Sequence, residues 1–172
     1  MPKASKRPRP SIEKLRALSD EHLVYEFQQL KRTCTLLVSG KYWKLWEDAP
    51  EPLKDEYLTI HNSLVEAFLI HARALQDFFF GKAPNDPKAH KDARAFDYFD
   101  DVSTWNHVLN KHHLEKGLSS EEKERVGYEA AHLSYRRELP LEKDVWPWLA
   151  IYNQFLPVIE AFITNVPPGR LS

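Results

Sequence analysis

Two sets of polar residues in this chain have the types and spacing to do chemistry. The first is Glu66, His71, Arg73 and Asp77, set into the otherwise apolar run from Lys54 to Phe80. Arg73 and Asp77 are one helical turn apart and can pair, and Glu66 lies two turns from Arg73 on the same side. The second set is Arg125, Glu129, His132 and Arg136, whose steps of four, three and four place them on one helical stripe. Arg125 and His132 are separated by roughly 10 Å of axial rise, and their side chains are long enough to converge on one phosphate. The plainer alternative for the second set is a hydrated face laced by Arg–Glu pairs. An arginine at position 136, in the last turn, is also what the helix dipole alone favours.

The elements that must position these residues follow from the apolar period. His61, Leu64, Phe68, His71, Leu75 and Phe78 recur at alternating steps of three and four, one face of a helix running to Phe80. A second stripe, Glu66, Leu69, Arg73, Asp77 and Phe80, runs beside it. Together they describe a central helix too apolar for the surface and too charged for a plain core, which predicts a buried or half-buried polar network. In that network Arg73 bridges Asp77 to a carboxylate at Asp100 or Asp101, and His71 bonds a partner helix. Gly81 is suited to the left-handed position just past a helix end.

The first eleven residues, basic and proline-containing, read as a disordered arm. Asp20 reads as the N-cap of a helix ending near Gly40, and Tyr42, Trp43, Leu45 and Trp46 as a plug for one end of the core. Residues 82–91 form a charged, proline-containing loop. Asp101 or Ser103 caps a helix that Gly117 ends, and Ser119 with Glu122 makes a capping box for a helix to about Glu138. A last helix spans Asp144 to Val166, with Pro147 in its first turn and a kink at Pro157. No segment reads as a strand. The expectation is an all-α, single-domain bundle of about five main helices over residues 12–166, with a tail at 167–172.

Charge and composition narrow the function classes. The 172 residues carry a net charge of −1, so no global field points to nucleic acid or membrane. Cys34 is the single cysteine and fits a reducing compartment, where it reads as a small core residue. No apolar run is long enough to span a bilayer, and the basic N-terminus lacks a secretory signal. A cytoplasmic protein without membrane partners is expected. Glu129 and His132 have the Glu-x-x-His spacing of di-iron bundles, but a second such pair is missing, and His61 and His71 lie roughly 15 Å apart along one helix. A mixed metal site from His71, His132 and an aspartate near Asp100 is the third-ranked reading. No metal or other cofactor is expected, and neither a Gly-rich phosphate loop nor a Gly-x-Ser-x-Gly elbow occurs.

Three phrases in order, His71-Ala-Arg-Ala-Leu-Gln-Asp-Phe-Phe79, Asp100-Asp-Val102 and Ala131-His-Leu-Ser-Tyr-Arg136, resemble a group of small bacterial all-helical proteins. That resemblance covers roughly residues 55–165 and implies a bundle fold without a settled activity. Separately, Arg125 and His132 enclose six residues, similar to the Arg-x(4–6)-His pattern of HEPN domains. These are helical bundles that include metal-independent RNA-cleaving toxins and inactive binding modules. HEPN enzymes commonly place a polar residue after the arginine, where this chain has Val126.

The HEPN resemblance implies His132 as general acid or base and Arg125 as the cation facing the developing phosphorane charge. Arg136 or Arg73 would help to hold phosphate. It also implies RNA as a partner and a homodimer. The residues themselves favour a non-catalytic interaction or binding module, with an HEPN-like endoribonuclease or RNA-binding module as the alternative.

Overall fold

The computed structural model describes residues 10–81, 92–114, 117–131 and 147–172, and for residues 125 and 127–131 it gives the backbone alone. Ser11 accepts a hydrogen bond from the Lys14 amide and opens α1, Ile12–Leu18, whose Leu15 is buried. A π-helical turn, Ser19–Leu23, then carries the rod without a break into α2, Val24–Val38. Asp20 is therefore inside a helical rod and does not cap it. The apolar stripe starts earlier than it, at Leu15, and Ser11 supplies the cap.

Gly40, at φ 63°, makes the left-handed turn into α3, Lys41–Asp48. Tyr42, Trp43, Leu45 and Trp46 of α3 are all half-buried, so the aromatic segment lies as a ledge on the bundle and does not plug the core. Trp43 packs at a tilt against Trp46, centroids 4.6 Å apart, and meets His61 edge-on at 5.4 Å.

Helix α4, Glu51–Phe80, is thirty residues long and has Pro52 in its first turn, where the missing N–H costs nothing. Gly81 follows it at φ −62° and ψ 133°, extended and not left-handed. Glycine serves a different purpose there: an added Cβ would run into the Asp77 carbonyl and lie 2.9 Å from Arg94 Nε. That close approach lets Arg94 Nη1 donate to the Asp77 carbonyl at 2.6 Å and satisfy the end of α4.

A 3-10 turn, Ala95–Tyr98, leads to α5, Val102–Lys111, capped by Asp101, which accepts from the Thr104 amide at 2.7 Å. The helix stops at Lys111, before Gly117, where His113 turns left-handed at φ 55°. Helix α6, Ser120–Ala131, opens on the expected capping box. The Ser119 amide donates to Glu122 at 2.7 Å and the Glu122 amide to Ser119 Oγ at 3.0 Å. Helix α7, Trp148–Asn165, has Pro147 as its N-cap. The expected continuation of α6 to Glu138 and a start of α7 at Asp144 lie outside the described residues.

The architecture is the expected all-α bundle, with no strand among the described residues. Its centre is α4, against which α2, α3, α6 and α7 all pack. Where α4 ends, Phe162 of α7 meets Phe78, Phe79, Tyr98, Phe99 and Trp105 at centroid distances from 5.3 to 5.9 Å. Buried polar atoms in this aromatic core are bonded: Trp105 Nε1 donates to the Phe79 carbonyl at 2.8 Å and the Tyr98 hydroxyl to the Leu15 carbonyl at 2.9 Å. The chain end folds back over it. Arg16 Nε donates to the Gly169 carbonyl at 2.7 Å, and Arg170 Nη1 to the Tyr98 carbonyl at 2.8 Å. Among the described residues no helix is long and apolar enough to cross a membrane.

Candidate functional site

The last turns of α4 present Arg73, Gln76, Asp77 and Phe80, spaced i, i+3, i+4 and i+7, on one side. Over that side come the turn at Gly117 and Leu118 and the first half of α6. Gln76 fixes the turn: only 6% exposed, it accepts a hydrogen bond from the Leu118 amide at 2.7 Å through Oε1. Gly117 makes this possible, because it sits at φ 45° and a Cβ there would collide with Gln76 Oε1 and the Phe80 ring. Val126, 1% exposed, packs α6 inward at the same place.

Between these elements lies a pocket of about 380 Å³. Gln76, Phe80, Leu118 and Val126 form its amide and apolar lining, and Arg73, Asp77 and Lys123 its charged lining. The three charged side chains are exposed, and no ion pair joins Arg73 to Asp77 among the described residues. A charge contact made through water contributes only about 1 kcal/mol at 4 Å. The buried lining beneath it lowers the local dielectric, so an anion seated against Arg73 and Lys123 gains more than at an open surface.

The residues singled out from sequence are divided among several places. Glu66 is exposed and lies outside the pocket lining. His71 is two residues before Arg73, about 200° around the helix, and turns to α2. There its Nδ1 lies 2.7 Å from Glu26 Oε2 and its ring meets Tyr25 edge-on at 5.7 Å. Asp100 pairs with Arg170 Nη2 at 2.5 Å, and Asp101 caps α5.

The expected bridge from Arg73 and Asp77 to Asp100 or Asp101 is thus replaced by two other ties. Both aspartates have nearer partners: the returning chain end for one, the α5 amides for the other. Burial of the network also fails for Glu66, Arg73 and Asp77, all exposed. Arg125 and Glu129 are on α6, where only their backbone is described, and His132 and Arg136 lie outside the described residues. Among the described residues no group of three or more His, Cys, Asp or Glu could hold a metal.

Cys34 is buried, and burial pushes its thiol up from the ordinary value, which disfavours the thiolate that a nucleophile needs. Sequence reasoning missed Gln76, Gly117, Leu118 and Lys123 as parts of a site, and Glu26 as the partner of His71. Gln76 did leave a signal, a polar residue on the stripe that Leu69, Ala72 and Phe79 make apolar. Glu26 left none, because its partner is forty-five residues away. Comparison with protein-family models, with curated proteins and with solved structures finds no match.

Proposed function

We propose that this chain is a non-catalytic binding module that holds its ligand in the pocket between α4 and α6. One observation carries the reading: the pocket gathers cations from two helices, a carboxylate and an amide over an apolar floor. His71 faces α2, where it is held by Glu26 away from this pocket. Charged and amide groups over an apolar floor are suited to grip and orient a polar ligand. A cytoplasmic location belongs to the same proposal.

An HEPN-like metal-independent endoribonuclease is the second reading, with Arg125 and His132 as its pair. It is favoured by the position of Arg125 on α6, next to the pocket residue Val126. Incubation of a mixed RNA substrate with the purified protein and a chelator separates the two. Intact RNA is the result expected of a binding module. RNA shortened by the wild type, and left intact by Arg125→Ala and by His132→Ala, overturns that reading and establishes the ribonuclease.

A further inference from the structure

We infer that the α4–α6 pocket takes a phosphomonoester joined through a hydroxylated sugar to a planar base, the chemistry of a nucleoside monophosphate; the inference rests on this pocket being the binding site proposed above. Cations come to the pocket from two different helices, Arg73 from α4 and Lys123 from α6. A guanidinium offers a planar fork that matches two phosphate oxygens, and an ammonium adds a point charge from the opposite wall. Two cations suit a dianion better than a single carboxylate.

The order of groups along α4 argues against a bare ion. From Arg73 through Asp77 to Phe80 the helix rises roughly 10 Å. One end of this row is therefore cationic, the middle is an acceptor, and the far end is an aromatic ring. Inorganic phosphate would use the cationic end alone. An uncharged apolar molecule would cover Arg73 and Lys123 without partners, at the cost of their hydration.

A ligand with a second anion in the middle of its length would meet Asp77 and be repelled. A nucleoside monophosphate fills the row in order: phosphate oxygens on Arg73 and Lys123, ribose O–H donors toward Asp77, and the base over Phe80. The volume, about 380 Å³, is within the range of small-molecule sites.

The inference is tested by calorimetric titration of the full chain at low ionic strength with adenosine monophosphate, adenosine, inorganic phosphate and benzoate. Wild type is compared with the double variant Arg73→Gln, Lys123→Gln and with Asp77→Asn, and each is melted by circular dichroism. All three substituted residues are exposed, so the variants are expected to melt with the wild type. Adenosine monophosphate is expected to bind at least tenfold tighter than adenosine or phosphate, and to lose at least tenfold in the double variant. Asp77→Asn is expected to weaken the nucleotide more than phosphate.

Nucleotide binding no tighter than phosphate, or unchanged in the double variant, overturns the inference. Benzoate bound without the nucleotide overturns this ligand class while leaving the pocket a binding site. Absence of binding by every probe also overturns the ligand class. RNA shortened under chelator instead overturns the non-catalytic reading, whatever the titration gives. A 5′-phosphorylated trinucleotide separates the two sources of this chemistry. Binding at least tenfold tighter than the free nucleotide supports a strand end as the source, and equal binding supports the free nucleotide.

Discussion

His71 and Arg73 are two residues apart on one helix, yet the two sides of α4 they mark are built differently. On the side of His71, the polar group is half-buried and answered by Glu26 across the interface with α2. Toward the end of α4 the same pattern holds in the aromatic core, where the Trp105 indole, the Tyr98 hydroxyl and the Arg170 guanidinium each bond a backbone carbonyl. On the side of Arg73, the buried polar group is Gln76, which serves the fold, while Arg73, Asp77 and Lys123 stand exposed around a pocket. Polar residues that close an interface and polar residues that leave one open are distinguished here by partner, not by residue type. The lesson is that charge on an apolar helix is not by itself a site.

The contrast can be broken most forcefully in the aromatic core. Phe162→Ala removes a fully buried ring that meets five others, and is expected to cost about 3–5 kcal/mol of stability in denaturant unfolding. A loss below about 1 kcal/mol would mean that this side is loosely packed. Gly117→Ala comes next, because it forces a Cβ into Gln76 and Phe80 at a left-handed backbone position. It is expected to cost about 1–3 kcal/mol and to close the pocket, read as lower stability with weaker ligand binding. Preserved binding in that variant would detach the pocket from its supporting turn.

Tyr98→Phe sharpens the comparison through pH. Burial, with the Asp97 carboxylate adding to it, pushes the Tyr98 phenol up to about 12. The unfolded phenol titrates near the ordinary value, about 10. As pH rises through that value the unfolded state loses its proton first, so wild-type stability falls between the two values. Tyr98→Phe is expected to cost about 1 kcal/mol near neutrality, because the Leu15 carbonyl loses one of its two donors, and to remove this alkaline decline. Urea unfolding at neutral and alkaline pH checks both. The smallest expected effect on stability belongs to Arg73→Gln with Lys123→Gln, within about 0.5 kcal/mol of wild type. A larger loss would make those cations structural and erase the difference between the two sides.

Much of this fold was legible in the chain because the signals are local. The period of α4, the Ser119–Glu122 box and the Asp101 cap each depend on residues within a turn or two. The errors arise where a distant segment decides. Asp20 has the composition of a cap, but the rod was already helical from Ile12. Gly81 follows a helix end as a left-handed glycine would, but Arg94 needs its missing Cβ. Asp100 was matched to Arg73, but its partner is Arg170, seventy residues on. The candidate site was half legible: Arg73 and Asp77 were nominated, whereas Gln76 and Lys123 gained their roles when α6 folded over α4.

The central claim is that the ligand sits on the Arg73 side of α4 and not on the His71 side. Backbone amide chemical shifts of the labelled protein, titrated with adenosine monophosphate, test it most directly. Shifts are expected to gather at residues 73–81 and 117–126, with the Leu118 amide prominent because it is bonded to Gln76. Shifts centred on Tyr25, Glu26 and His71, or no shifts at any amide, would contradict it.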